Sequence, residues 1–342
     1  MSTESNTQKA LIYDSSGPNK MRWKSDFPKP KVTTKDGKDL VLVKVISAGL
    51  NPIDYKIPTM KPLFFSRKGT AVGMDLCGVI EAVGSGVVGL NVGDTVFGFG
   101  PSLAEYTLTS PEALAILPKE VSADVAGGLG VAPNTAYQML ADNGAFEGSE
   151  PKHIVVIGAA GGCGSCAVQI ARAKCPKGTK IYAVCSGKNA DFVKSLGADE
   201  VFDYTKSGFN FKTCLPAKSV DLIADCVSSK EDHNYVPEGM GLLKEETGHY
   251  VAINSASSLD WIKLFIKNIF GFSLFKKQYS LMYLIPRKEE IIEIGNLVKD
   301  KKLKIHVDSY IPFDESSVRQ AFDTLKNRHV KGKLIVKVSS SS

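Results

Sequence analysis

Short apolar runs broken by glycine and proline fill the first third of the chain. "DLVLVKVISAGL" (Asp39 to Leu50), "CGVIEAVGSGV" (Cys77 to Val87) and "VGDTVFGFG" (Val92 to Gly100) are rich in β-branched residues and closed by turn residues. Such spacing predicts many short strands in a compact, barrel-like β domain. The pattern changes near "VSADVAGGLGVAPNTAYQML", where Ser122 can cap one helix and another follows Pro133. From His153 onward, wholly apolar strands alternate with helices. "HIVVIGA" precedes a helix from about Gly164 to Ala173, followed by "KIYAVCS", the helix "NADFVKSLG", "EVFDY", "VDLIADCV", a helical stretch from Val236 to Lys244, and "GHYVAINS". Strands without a polar face, separated by helices, predict a doubly wound parallel sheet.

The segment Leu259 to Pro286 is unusually apolar, with Trp261, Leu264, Phe265 and Asn268 at helical spacing and "KQYSLMYLIP" as a further strand. The helix "RKEEIIEIGNLVKDKK" follows, and the chain ends as strand, helix, strand in "LKIHVDSYIPF", "ESSVRQAFDTLKNRHV" and "KGKLIVKV". With 342 residues, this order fits two domains in an α/β fold.

The turn "GAAGGCG" places Gly158, Gly161 and Gly164 three apart between a strand and a helix. Glycine permits the tight turn and lets a pyrophosphate approach backbone N–H groups at the positive end of the helix, with Ala160, Gly162 and Cys163 around it. At the end of the next strand stand Ser186, Gly187, Lys188 and Asn189, with no acid until Asp191. A hydroxyl and a lysine receive a 2′-phosphate where a carboxylate would repel it. Tyr204 closes the same pocket. The expected cofactor is therefore NADPH.

Cys163 and Cys166 share that turn, yet no second Cys-x-x-Cys exists and the five histidines are scattered. They read as packing residues, not as a metal site or redox dithiol. The net charge of +6 comes from 42 basic and 36 acidic residues mixed along the chain, which argues against a nucleic-acid surface. The odd set of seven cysteines suits a reducing setting. The polar opening "MSTESNTQKA" lacks a signal core, so an intracellular, cytoplasmic location is expected.

"AGLNPIDYK", "VGMDLCGVIEAVGSGV", "VGDTVFGF", "AEYT", "NTAYQML", "GAAGGCG", "VKSLGADEVFDY" and "VKGKLIVKV" occur in an order that resembles the quinone oxidoreductase branch of the zinc-independent medium-chain dehydrogenase/reductases, in particular the chloroplast-envelope homologues. The resemblance implies a GroES-like substrate domain over residues 1–127 and 287–342, and a Rossmann NADPH-binding domain over 128–286. It also implies that no metal is held: Leu50 and Asn51 stand where zinc alcohol dehydrogenases carry a cysteine, and Met74 and Asp75 replace their His-Glu. Hydride would pass to an apolar quinone or to the C=C bond of an α,β-unsaturated carbonyl.

By position in the family, Asn51, Asp54 and Tyr55 fall beside the substrate. Tyr55 either hydrogen-bonds the substrate oxygen or packs; Asp54 either takes part in catalysis or fixes its loop. Thr135 and Asn254 would lie near the nicotinamide, and Lys331 and Lys333 would reach the cofactor from the C-terminal end. Phe64, Phe65, Trp261, Phe265, Phe270 and Phe272 fit a bulky apolar substrate, or core and dimer packing. Lys263, Lys267, Lys276 and Lys277 beside the aromatics also fit peripheral contact with an organelle membrane. A 2-enoyl-thioester reductase and a non-catalytic NADPH-binding protein stay open as alternatives, and so do monomer and homodimer.

Overall fold

The computed structural model describes residues 6–32, 39–60, 65–229, 232–255, 257, 259–261, 263, 264, 266, 277–327 and 330–339. The chain forms two compact units: Met1–Asn134, Pro286–Lys301 and Ile305–Ser342 in one, Thr135–Ile285 and Lys302–Lys304 in the other.

The first unit is built on β strands. β1 (Thr7–Tyr13) and β2 (Met21–Pro28) form an antiparallel pair. β3 (Val41–Gly49), β4 (Asp75–Val83), β5 (Thr95–Phe99), β6 (Tyr106–Thr109) and β7 (Leu114–Ile116) join the late strands β14 (Val307–Pro312) and β15 (Lys333–Lys337) in one sheet. Its order is β14-β15-β3-β4-β5-β7, with β6 also on β3. Val43, Val45, Leu76, Ile80, Val96 and Leu114 are buried on one core, while Leu50, Ile57, Leu103, Val318, Phe322 and Val336 fill another. β15 runs antiparallel to β3, pairing Ile335 with Gly49. This register brings the C-terminal strand beside Leu50 and Asn51, where β3 gives way to the short helix Pro52–Lys56.

The second unit is a six-stranded, wholly parallel sheet. Its strands are β8 (His153–Ile157), β9 (Lys180–Cys185), β10 (Glu200–Asp203), β11 (Leu222–Asp225), β12 (His249–Ala252) and β13 (Tyr279–Leu281), in the order β10-β9-β8-β11-β12-β13. The chain leaves β8 in one direction, through β9, and returns on its other side at β11. The carboxyl ends of β8 and β11 are therefore neighbours, with Ile157 opposite Asp225, and this reversal of strand order is where open α/β sheets take their ligands.

Several elements differ from the sequence expectation. The helix expected over Val236–Lys244 covers only Val236–Gly239, and Gly239 lies against the Tyr250 ring, where an added Cβ would sit 2.6 Å from Cε2. The strand expected through Pro286 is limited to Tyr279–Leu281, the three residues that pair with Tyr250–Ala252 of β12. The first Rossmann helix begins at Gly162, one half-turn earlier than its apolar periodicity suggests.

Trp261 and Leu264 pack on the core that holds Tyr250 and Tyr279, which favours their packing role, and Phe65 is 68% exposed. Phe64, Phe265, Lys267, Asn268, Phe270, Phe272 and Lys276 lie outside the described residues. Among those described, no helix is long and apolar enough to cross a membrane.

Candidate active site

The glycine turn is shaped by close approach. Gly158 has φ +76°, a region that favours glycine, and an added Cβ would lie 2.5 Å from Val227 Cγ2. Its N–H and that of Ala159 donate to the Val184 carbonyl (3.0 and 3.2 Å), and Gly161 N–H donates back to the Gly158 carbonyl at 3.0 Å. A Cβ on Gly164 would come within 2.2 Å of that same carbonyl oxygen, so only glycine lets the helix Gly162–Lys174 start flush against the strand. Gly161 is the extended N-cap and no side chain caps the helix. The first-turn N–H groups of Gly162 and Cys163 are thus left for a ligand, and a helix N-terminus favours an anionic one. Small Ala160, 8% exposed, keeps the approach low. These residues fit a dinucleotide pyrophosphate.

Beyond β9, Ser186 to Asn189 form a tight turn in which Asn189 Nδ2 donates to Ser186 Oγ at 3.1 Å and Lys188 is exposed. The acid missing from this turn in the sequence arrives from the next strand. Asp203 Oδ1 accepts from Gly187 N–H at 2.7 Å and from the Thr205 side chain and N–H at 2.6 and 2.9 Å. The Thr205 hydroxyl and these amides hold its carboxyl below the usual range. The pairing of Asp203 with Cys185 in the parallel register puts it there, and no feature of the β9 segment alone announces it. Tyr204, 51% exposed, lines an open hollow with Lys206, Asn210, His233, Tyr235 and Glu238. Asn254 follows β12 and accepts from Ser255 N–H at 3.0 Å; Thr135 is buried on the helix Val131–Ala141.

In the first unit, Asn51 caps the helix Pro52–Lys56, and its N–H donates to Asp54 Oδ2 at 2.8 Å. Asp54 therefore fixes its own loop. Lys333 binds that loop from the opposite strand. Its Nζ donates to the Leu50 carbonyl (3.1 Å), Asn51 Oδ1 (2.7 Å) and Asp75 Oδ2 (3.0 Å), with side chains 4% exposed for Lys333 and 0% for Asp75. Asp75 Oδ1 accepts from Val131 N–H at 2.5 Å. The ammonium that the sequence reading sends toward the cofactor thus has three acceptors within its own unit. Lys331 donates its backbone N–H to Asp308 Oδ1 at 3.1 Å. Tyr55 is half-buried on the core around Leu50, with Lys326 Nζ 5.8 Å from its ring centroid.

Burial pushes the Asp54 carboxyl up to about 7; Asn51 N–H opposes this, Asp75 adds to it, and Lys333 and Arg67 oppose it. Tyr13, on β1, donates its hydroxyl to the Asp54 backbone carbonyl at 3.0 Å. Asp54 Oδ1 is buried and has no partner among the described residues. A carboxyl whose pKa is higher folded than unfolded stabilises the protein most when protonated. The contribution is complete below about pH 4 and is lost as pH rises through about 7. The wild-type urea midpoint is expected to fall between about pH 5 and pH 8 relative to Asp54→Asn. Equal slopes for the two proteins would show that Asp54 does not titrate in this window.

Residues 37–133 match the alcohol dehydrogenase GroES-like domain and residues 196–336 match the zinc-binding dehydrogenase family. The chain is 33% identical over 312 residues to a chloroplastic quinone-oxidoreductase homolog of Spinacia oleracea, covering 87% of this chain and 89% of that one. It is 31% identical over 343 residues to the chloroplastic NADPH-dependent alkenal/one oxidoreductase of Arabidopsis thaliana, covering 96% and 79%. The quinone oxidoreductase from Coxiella burnetii superposes with a TM-score of 0.79 at 28% identity, covering 97% of this chain and 99% of that one. One family description mentions zinc; of the residues the resemblance sets against zinc ligands, Met74 offers only a thioether, which is not among the usual zinc ligands, and Asp75 is engaged by Lys333 and Val131. Among the described residues, no three His, Cys, Asp or Glu side chains converge as a metal site.

Proposed function

From membership in the quinone oxidoreductase branch of the NAD(P)-binding medium-chain dehydrogenase/reductases, to which this chain belongs, we infer that the protein uses NADPH to reduce an apolar quinone or the C=C bond of an α,β-unsaturated carbonyl. The observation that carries this reading is the glycine cradle beneath an uncapped helix N-terminus at the reversal of strand order. Gly158, Gly161, Gly162, Cys163 and Gly164 would hold the pyrophosphate, with Ala160 keeping the approach open. Ser186, Lys188, Asn189 and Tyr204 would take the 2′-phosphate end, and Thr135 and Asn254 the nicotinamide end. NADPH supplies the hydride when bound, so the protein's task is to bind, orient and exclude water.

In the substrate unit, Tyr55 is the side chain proposed to meet the substrate oxygen, where its phenol can hold a hydrogen bond or pass a proton. Asn51 and Asp54 shape the loop that presents it. The setting we propose is reducing and intracellular, with peripheral contact at an organelle envelope as the second option, since relatives are named for the chloroplast envelope.

Asp203, kept ionised by Gly187 and Thr205, is the group at this turn that opposes a 2′-phosphate, and the reading requires Lys188 to outweigh it. Lys188→Ala is expected to raise the KM for NADPH about tenfold and to leave that for NADH within about twofold, the loss of one charge-assisted contact. Equal changes for both cofactors would remove Lys188 from the 2′-phosphate site.

The deciding experiment follows NADPH consumption with a small benzoquinone and a medium-chain enone in parallel, with EDTA present. Turnover of the enone supports double-bond reduction, and turnover of the quinone alone assigns quinone reduction. Binding of NADPH without turnover of either overturns the enone and quinone reading, in favour of a carrier-bound enoyl thioester or a binding protein.

A further inference from the structure

The residue after β11 is a third cysteine at the glycine turn. Cys226 N–H donates to the Ile157 carbonyl at 3.1 Å, at the end of β8, and a Cβ built on Gly158 lies 3.6 Å from Cys226 Cβ. The segment is held rigidly: Asp225 Oδ1 accepts from Val227 and Ser228 N–H (2.8 and 3.0 Å), and Asp225 Oδ2 accepts from the Tyr250 hydroxyl at 2.6 Å. Cys163 comes to the same point from the first turn of the helix Gly162–Lys174, and the two side chains hydrogen-bond. That hydrogen bond, with burial, pushes the Cys226 thiol well above its ordinary range. Both residues are part-exposed, whereas Cys166 is buried, with 1% exposure. The pairing the structure offers is thus Cys163 with Cys226, across the strand-order reversal, and not the Cys-x-x-Cys of the sequence.

We propose that Cys163 and Cys226 are a peroxide-sensitive thiol pair that closes to a disulfide across the nucleotide turn and excludes the dinucleotide. The Cys163 sulfur attacks the peroxide oxygen, the O–O bond breaks, and the sulfenic acid forms with release of water. Cys226 then displaces the sulfenic oxygen as a second water, so the pair loses two electrons and two protons and one hydrogen peroxide becomes two waters.

Thiols in hydrogen-bond contact are about 3.5–4 Å apart and a disulfide is about 2 Å, so closure must draw Cys163 toward β11. The first-turn N–H groups of the helix move with it. Gly158, already pressed on Val227, has no room to compensate. Coupling is reciprocal: a ligand on those N–H groups must slow closure of the pair.

The inference rests on NADPH binding at this turn, and the test separates the two. Reduced protein is titrated with NADPH by fluorescence, treated with hydrogen peroxide with or without NADPH, mapped by peptide mass spectrometry, and titrated again before and after dithiothreitol. The expected result is a Cys163–Cys226 disulfide, NADPH affinity lowered about tenfold or more, reversal by dithiothreitol, and slower closure when NADPH is present. Cys226→Ser, compared with its own reduced baseline, is expected to lose the response.

A Cys163–Cys166 bond, irreversible oxidation of Cys163, or an unchanged response in Cys226→Ser overturns the pair. A Cys163–Cys226 disulfide with unaltered NADPH affinity overturns the exclusion alone. Reduced protein that binds no NADPH overturns the cofactor reading and the exclusion together, and the peptide map still decides whether the pair forms.

Discussion

Lys333→Met is expected to lower the unfolding free energy by about 3–5 kcal/mol, the cost of leaving a buried charge without its partner. Methionine keeps most of the side-chain volume but has no donor. The Asp75 carboxylate, fully buried, would keep only Val131 N–H, while the Leu50 carbonyl and Asn51 Oδ1 would each lose a hydrogen bond. Urea unfolding of the first unit measures the loss, and Lys333→Met combined with Asp75→Asn should recover part of it by removing the stranded charge. The control is Lys337→Met on the same strand. Lys337 pairs with Asp124 at 2.8 Å but its side chain is 44% exposed, so its removal should cost less than about 1 kcal/mol. Similar losses at both positions would mean that the Lys333 network does not anchor the Asn51 loop.

Gly164→Ala is expected to weaken NADPH binding more than about tenfold and to destabilise the second unit by about 1–3 kcal/mol, the usual cost of forcing extra atoms into packed structure. The new methyl would stand 2.2 Å from the Gly158 carbonyl oxygen and 2.8 Å from Ala159 Cα. Both obstacles are backbone, so no side-chain rotation relieves them, and the helix must move away from the turn. Gly161→Ala discriminates between this steric account and a general need for glycine. Its methyl would meet only the Gly158 carbonyl, at 3.5 Å, an ordinary contact. Gly161→Ala should therefore keep most of the affinity. Equal losses would place the requirement in backbone freedom and not in the strand–helix contact.

The features legible in the sequence are those encoded by neighbours. Apolar runs of four or five residues announce β8, β9 and β11, and glycine at every third position announces the turn, because both depend on residues a few positions apart. The extents of the short elements Val236–Gly239 and Tyr279–Leu281 were not legible: Tyr279–Leu281 are the residues that pair with β12, a strand elsewhere in the chain. The network of Lys333 with Asn51 and Asp75 joins residues 282 and 258 positions apart. Only the register of β15 on β3 reveals that Lys333 turns inward. Asp203 was hidden similarly, since it reaches the turn after β9 from the adjacent strand β10.

The path of β15 also bears on how the molecule is made. Synthesis completes the nucleotide unit almost in one stretch, from Thr135 to Ile285, and only Lys302–Lys304 come later. The other unit is begun first and finished last: β3 and β4 leave the ribosome some hundreds of residues before the strand that carries Lys333. Through that interval Asp75 has no lysine and β3 lacks its β15 neighbour. The sheet of the first unit therefore stays incomplete until β15 is made, and that strand both completes the sheet and brings Lys333 to its buried acid.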